Sequence, residues 1–271
     1  MKLERSGLPI FLDEATSLLS FADGLVCEES AAKSTAKLAP VLLDPQAGTD
    51  ETAFDFYKNV HFPKDEALLK QYRLRFDITV VHPGLVGGER KKTTGHIHAM
   101  MPGKTTPHAE LYEVLSGTAI YLLQPDPGPS GRTELIAVTL RAGEKIIVPA
   151  NCAHCTVNAG SGTLVFDNLV LESGANDYGV IQAHKGMAAF VIERDGALRL
   201  IPNPQYDPAA TDYKKGAVIQ SAALGTADPL PTYRSFVQSP DTYRYLQDPT
   251  PYNEAIAALL RTEPLTLDAE G

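Results

Sequence analysis

From about residue 73 to 207 the chain is a succession of short runs rich in β-branched and aromatic residues: RLRFDITVVH, AELYEVLSG, GTAIYLLQ, TELIAVTL, EKIIVP, GTLVFDNLVL, MAAFVIE and GALRLIP. Turn residues separate them, at Pro83-Gly84, Gly87-Gly88, Pro125 to Gly131, Gly143, Gly160 and Gly196. Many short strands at this spacing predict an all-β core, a barrel or a sandwich, and not βαβ units. The period of two is clearest at 73–80. Leu74, Phe76, Ile78 and Val80 share one face, while Arg73, Arg75, Asp77 and Thr79 share the other. The polar row can line a site. The apolar row needs a covering layer, from flanking helices or from a second subunit.

The flanks read differently. Residues 1–72 form a mixed, helical flank in which Phe11 to Ala22 and Leu25 to Leu38 carry helix-like spacing, bounded by Pro9, Pro40 and Pro45. From Pro229 the chain turns helical and Tyr-rich, with EAIAALLR at 254–261, so 208–271 is expected as a C-terminal helical extension packed on the barrel. At 44% hydrophobic and 21% charged, the chain can bury a core. Its 24 Lys and Arg against 33 Asp and Glu leave a net charge of −9, which argues against nucleic acid or an anionic membrane as partner. A small anionic ligand held by local donors remains compatible with that balance. No apolar run is long enough to span a bilayer, and the first residues do not read as a signal peptide. Three cysteines give no disulfide framework, so a cytoplasmic setting is expected.

Three of the seven histidines fall in two segments that make chemical sense together. In Gly95-His96-Ile97-His98 an extended backbone points both imidazoles to one side, about 7 Å apart at the backbone. Glu110 opens the next strand-like run, and His154 sits in VPANCAHCTVN. In a closed barrel these segments can face one another. Three neutral imidazoles and a carboxylate suit Zn, Fe, Ni, Co or Mn and leave open positions on an octahedral ion. Taken singly, each has a plainer reading: a surface His pair, a solvated Glu110, a structural His154. Their spacing favours the joint reading. Six residues separate Glu110 from Gly117, five separate Gly143 from Pro149, and three separate His154 from Asn158.

These spacings resemble the two signature motifs of the cupin superfamily. FDITVVHPG, TTGHIHA, AELYEVLSG, VPANCAHCTVN and NDYGVI together resemble the cupin-type (archaeal-type) glucose-6-phosphate isomerases, over roughly 73–207. The resemblance implies a cupin barrel (a double-stranded β-helix or jelly roll) that holds one divalent metal ion through His96, His98, Glu110 and His154. It implies a sugar-phosphate pocket containing Thr79, Thr93, Gly95, Tyr112 and Tyr178, a homodimer, and a place in glycolysis and gluconeogenesis. The implied reaction is aldose–ketose isomerisation between glucose 6-phosphate and fructose 6-phosphate. Glu110 is the candidate base, and Tyr112 either orients substrate or relays a proton. A carboxylate locked on the metal would favour a hydride shift instead.

The chain also departs from the family pattern. Eleven residues lie between His98 and Glu110, more than the pattern has, and His108 among them is expected at a loop tip. Val170 and Asn176 stand where a pocket tyrosine and histidine are expected, and Arg90 stands where the general cupin pattern has Gly. Arg90, Lys91 and Lys92 are expected as a solvated loop face. Cys152 and Cys155 flank His154, but a single C-x-x-C is weak evidence for zinc, and strand alternation puts Cys155 on the face opposite His154. Another cupin metalloenzyme (a different sugar isomerase or a dioxygenase) and a non-catalytic sugar-binding cupin are the competing readings.

Overall fold

Leu74–Val81 is a strand, and its two faces organise the molecule. A computed structural model describes residues 1–100 and 103–267. In it Leu74–Val81 lies within a six-stranded antiparallel sheet. The order across the sheet is Lys145–Val148, Glu110–Ser116, Leu164–Leu171, Leu74–Val81, Thr52–Lys58 and Glu29–Ser34. A five-stranded sheet opposes it, in the order Cys152–Asn158, Thr118–Pro125, Thr133–Arg141, Thr211–Val218 and Leu260–Pro264. Thr133–Arg141 and Thr211–Val218 run parallel; the other pairings are antiparallel. Tyr121 bridges the space between the sheets, its ring 5.4 Å from that of Tyr112 and 6.2 Å from that of Phe166. The result is the cupin β-barrel that the strand pattern and motifs imply.

The covering layer on the apolar face comes from the same chain. Phe76 is fully buried and meets Tyr233 edge-on at 5.2 Å, and Tyr72 meets Phe236 at 5.8 Å. Tyr233 and Phe236 belong to the helix Thr232–Gln238. The Tyr233 hydroxyl donates to Asp65 Oδ2 at 2.7 Å and accepts from the Phe62 N–H at 3.0 Å. A buried polar cluster completes the seam. Glu113 Oε2 accepts from both the N–H and the hydroxyl of Thr232 at 2.8 Å, and Lys145 Nζ donates to the carbonyls of Asp228 and Leu230 at 2.9 and 2.7 Å. Asp167, directly across the strands from Glu113, is fully buried and neither of its carboxyl oxygens has a hydrogen-bond partner. Burial and the nearby Glu113 push its pKa well up, against the pull of Lys145.

The flanks correct three expectations. The helix expected over 11–22 is a hairpin of Ile10–Asp13 with Leu18–Phe21. Asp13 Oδ1 accepts from the Ala15 N–H at 3.0 Å and Ser17 turns left-handed, a local alternative that competes with helix. The helix expected over 25–38 is mostly the edge strand Glu29–Ser34, whose backbone groups pair with Thr52–Lys58; only Thr35–Val41 winds, as a 3₁₀ turn. Near the C-terminus, helix Asn253–Ala257 stops short, and residues expected to extend it enter the strand Leu260–Pro264. Arg73 does not belong to the polar row: it closes the helix Glu66–Tyr72 in a left-handed conformation, φ 55°.

Arg90, Lys91 and Lys92 are also corrected. They are buried, not solvated. Arg90 pairs with Glu193 at 2.8 Å, Lys91 with Glu51 at 2.5 Å, and Lys92 with Glu89, while Lys92 Nζ also donates to the Val41 carbonyl at 2.7 Å. Burial is tolerable because each cation has its own carboxylate, two of them supplied from distant segments.

Candidate functional site

The inward positions of four neighbouring strands converge on one cavity of about 420 Å³. They follow the period of two: Glu110 and Tyr112, then Phe166, Asn168 and Val170, then Arg75, Asp77 and Thr79, then Phe54, Phe56 and Lys58. Thr93, Thr94, His96, His154, Asn176 and Tyr178 close the cavity from other sides. The Gly95–His98 segment is held there by reciprocal backbone bonds between His96 and His154, at 3.1 and 2.9 Å. Gly95 itself is not at the cavity wall. Its φ is +79°, and a Cβ there would meet Cys155, Ile181 and Met187 at 3.4 to 3.6 Å, so it serves the turn and the packing behind.

His96, His98, Glu110 and His154 each offer one ligand atom, and these four atoms lie within 4.8 Å of one another. His96 is half-buried and the other three are buried. The hydrogen bonds behind the rings give an independent test of fit. Nδ1 of His98 faces the His108 carbonyl at 3.0 Å, and Nδ1 of His154 faces the Cys152 carbonyl at 3.1 Å. A carbonyl only accepts, so the ring proton belongs on Nδ1 and Nε2 presents a lone pair. Those lone pairs face Glu110 Oε2 at 2.9 and 3.4 Å. Two imidazole lone pairs and a carboxylate oxygen gathered this way suit a divalent cation of the Zn, Fe, Ni, Co or Mn kind.

The surroundings set the charge states. Burial, reinforced by His154 and His98, drops His96 well below its usual value, so it is neutral. Burial pushes Glu110 up, but the adjacent His154 and His98 outweigh it and hold the carboxyl well below its ordinary range. Tyr112 is pushed well above 10 by burial and by Glu110, so its phenol keeps the proton. That hydroxyl lies 3.0 Å from His154 Nε2. Asn168 Nδ2 donates to Glu110 Oε1 at 2.7 Å.

His108 departs from expectation. It is buried and not at a loop tip, stacked on His98 with centroids 3.9 Å apart. It stands behind the four-residue cluster, not in it, and burial with His98 beside it lowers its pKa to about 3. Gly174 makes the room: a Cβ there would lie 2.5 Å from the His108 ring. Among the remaining expected pocket residues, Thr79, Thr93 and Tyr178 line the cavity, as do Val170 and Asn176. The Thr93 hydroxyl oxygen accepts from the Thr156 N–H at 3.0 Å. Cys152 and Cys155 are buried, with burial pushing their thiols up to about 12 and about 11, so neither is a thiolate near neutrality. Cys155 Sγ points away to the Thr93 carbonyl at 3.2 Å.

Sequence reasoning did not single out Lys33, Lys58 or Asn168. Asn168 was within its reach, because GTLVFDNLVL alternates and places Asn168 on one face with Phe166 and Val170. Lys33 and Lys58 come from strands outside the motif-bearing region. Lys58 pairs with Glu29 at 2.8 Å and Arg75 with Asp77 at 2.7 Å.

The model of the family described as glucose-6-phosphate isomerase (GPI) matches residues 32–207. Among curated proteins, the glucose-6-phosphate isomerase of Pyrococcus furiosus is 36% identical over 137 residues, 51% of this chain and 67% of that protein. That of Thermococcus kodakarensis matches to the same extent. The putative glucose-6-phosphate isomerase 1 of Rhizobium meliloti is 32% identical over 134 residues, 49% of this chain and 58% of that protein. Among solved structures, a putative sugar phosphate isomerase from Acidithiobacillus ferrooxidans is similar with a TM-score of 0.28 and 19% identity, over 48% of this chain and 67% of the other. A recombinant oxalate oxidase in complex with glycolate is similar with a TM-score of 0.30 and 14% identity, over 55% and 52%.

Proposed function

Because the chain belongs to the glucose-6-phosphate isomerase family, we propose that it interconverts glucose 6-phosphate and fructose 6-phosphate at a divalent cation held by His96, His98, Glu110 and His154. The observation that carries this reading is the meeting of those four ligand atoms within 4.8 Å, at the wall of a cavity large enough for a small molecule. A cation bound there supplies Lewis-acid stabilisation of the negative charge that develops on O1 and O2 of the sugar.

The chain's own residues do the rest. Glu110 accepts the proton from C2 of the open-chain aldose and returns it to C1, while the carbonyl moves from C1 to C2. Asn168 and Tyr112 hold its two oxygens in place, at 2.7 Å each, so the carboxylate meets the carbon edge in one orientation. Tyr112, kept protonated, is placed to hand a proton between the two sugar oxygens. Thr79, Thr93 and Tyr178 offer hydroxyls to the remainder of the sugar phosphate. Residues 73–207 supply the ligands, and the 1–72 flank adds the strands Glu29–Ser34 and Thr52–Lys58 to the wall.

The reading places the protein in glycolysis and gluconeogenesis, in the cytoplasm, as a homodimer. Among the described residues no helix is long and apolar enough to cross a membrane. Sedimentation at micromolar concentration tests the dimer, and monomer alone would refute it. The test of function is a coupled isomerase assay on chelated and metal-reconstituted protein across a panel of sugar phosphates. Turnover should vanish with chelator and return with a divalent ion. Metal-loaded protein that leaves both hexose phosphates untouched overturns the reading, and dioxygen uptake with Fe(II) would replace it with an oxygenase.

A further inference from the structure

We propose that Lys33 is the phosphate anchor of this pocket, an electrostatic specificity determinant delivered by the edge strand Glu29–Ser34 from outside the motif-bearing part of the barrel. Three cations line the cavity: Lys33, Lys58 and Arg75. Lys58 and Arg75 are already neutralised, by Glu29 and Asp77. Lys33 has no ion pair among the described residues. Its Nζ donates to the Thr94 hydroxyl at 2.8 Å and sits over the rings of Tyr178 and Phe54, 5.4 and 5.7 Å from their centroids. Burial lowers its pKa, so the site bears the strain of a partly desolvated ammonium that an anion would relieve.

The backbone aims the side chain there. The register of the edge strand shifts between Lys33 and Ser34, and such irregularities redirect a side chain next to a site. The Thr94 hydroxyl beside Nζ, with Thr93 and Tyr178 on the same cavity wall, offers donors suited to a dianionic phosphate. Thr94 precedes His96 by two residues, so the anion end of the pocket and the ligand cluster lie on one short segment.

The assignment of this anion to a sugar phosphate rests on the isomerase reading, and the experiment separates the two. Inorganic phosphate is titrated calorimetrically into metal-loaded protein. Lys33→Met should weaken phosphate binding by about tenfold or more, while Lys33→Arg keeps it within a few-fold. The KM for glucose 6-phosphate should rise in parallel with kcat little changed. Phosphate affinity unchanged in folded Lys33→Met overturns the proposal. If Lys33→Met does not fold, acetylation of the unaltered protein decides: phosphate should slow modification of Lys33 relative to the exposed Lys37, and no protection overturns the proposal. Lys33-dependent phosphate binding without isomerase turnover would sustain the anchor and remove the isomerase reading.

Discussion

The Tyr112 hydroxyl donates to Glu110 Oε2 at 2.7 Å, two inward positions of one strand with the phenol beside the carboxylate that is also a candidate ligand. Tyr112→Phe removes this bond and leaves the strand packing in place. The expected result is a fall in kcat of about tenfold to a hundredfold, with metal content unchanged by elemental analysis. A variant with full turnover would reduce Tyr112 to a packing residue.

Glu110 and His108 separate by their chemistry. Glu110→Gln should lower kcat by about 10² to 10⁴, the usual range for loss of a general base. His108→Ala should cost far less, since its ring stacks on His98 and lines the cavity without joining the ligand cluster, while its carbonyl, which orients His98, survives the substitution. Equal losses in the same assay would mean that the ligand assignment is misplaced.

Isotope transfer checks the role given to Glu110. A carboxylate that takes a proton from C2 exchanges it with solvent before returning it, so product formed in D₂O should carry deuterium at C1. Mass spectrometry of the product reads this directly. Product without deuterium would mean a hydride shift, with Glu110 acting as ligand alone.

Asp167 makes a prediction about pH. Its pKa is raised in the folded chain, so the folded state binds this proton more tightly than the unfolded chain does. Its favourable contribution is complete below the unfolded carboxyl value of about 4 and is lost as pH rises through the folded value. Asp167→Asn cannot ionise, so its thermal midpoint should gain on the parent as pH goes from 5 to 8. A difference between the two proteins that stays constant or shrinks would show Asp167 ionised in the fold.

Phe76 joins the barrel to the layer over its outer face. Phe76→Ala leaves a cavity under Tyr233 and should lower unfolding free energy by about 3–5 kcal/mol in urea titration. A loss under 1 kcal/mol would mean that the C-terminal layer closes onto the strand without help from this ring.

The sequence carries the barrel and the ligand cluster because both are written in local patterns. Leu74, Phe76, Ile78 and Val80 alternate with Arg75, Asp77 and Thr79, and the structure buries the first row and turns the second into the cavity. His96, His98, Glu110 and His154 sit in motifs whose spacing fits strands of a closed barrel. Lys33 was beyond reach for the opposite reason: its surroundings read as helix, and its place in the cavity depends on pairing with Phe54, which pairs in turn with Val81. Arg90, Lys91 and Lys92 show the same limit. A basic run looks solvated until Glu51 and Glu193, each remote in sequence, arrive to pair with it.

The six-stranded sheet has a working face and a supported face, made by alternate residues of the same strands. Glu110 and Tyr112 look into the cavity, while Glu113 in the same strand is gripped from behind by Thr232. Cutting the chain at the end of the barrel would bare Phe76 and its neighbours to water and strip Glu113 of both of its Thr232 donors. Helix Thr232–Gln238 and the turn Pro240–Leu246 after it are therefore the backing plate of the catalytic wall, and a minimal enzyme carved from this protein would have to redesign that rear surface before its chemistry could be judged.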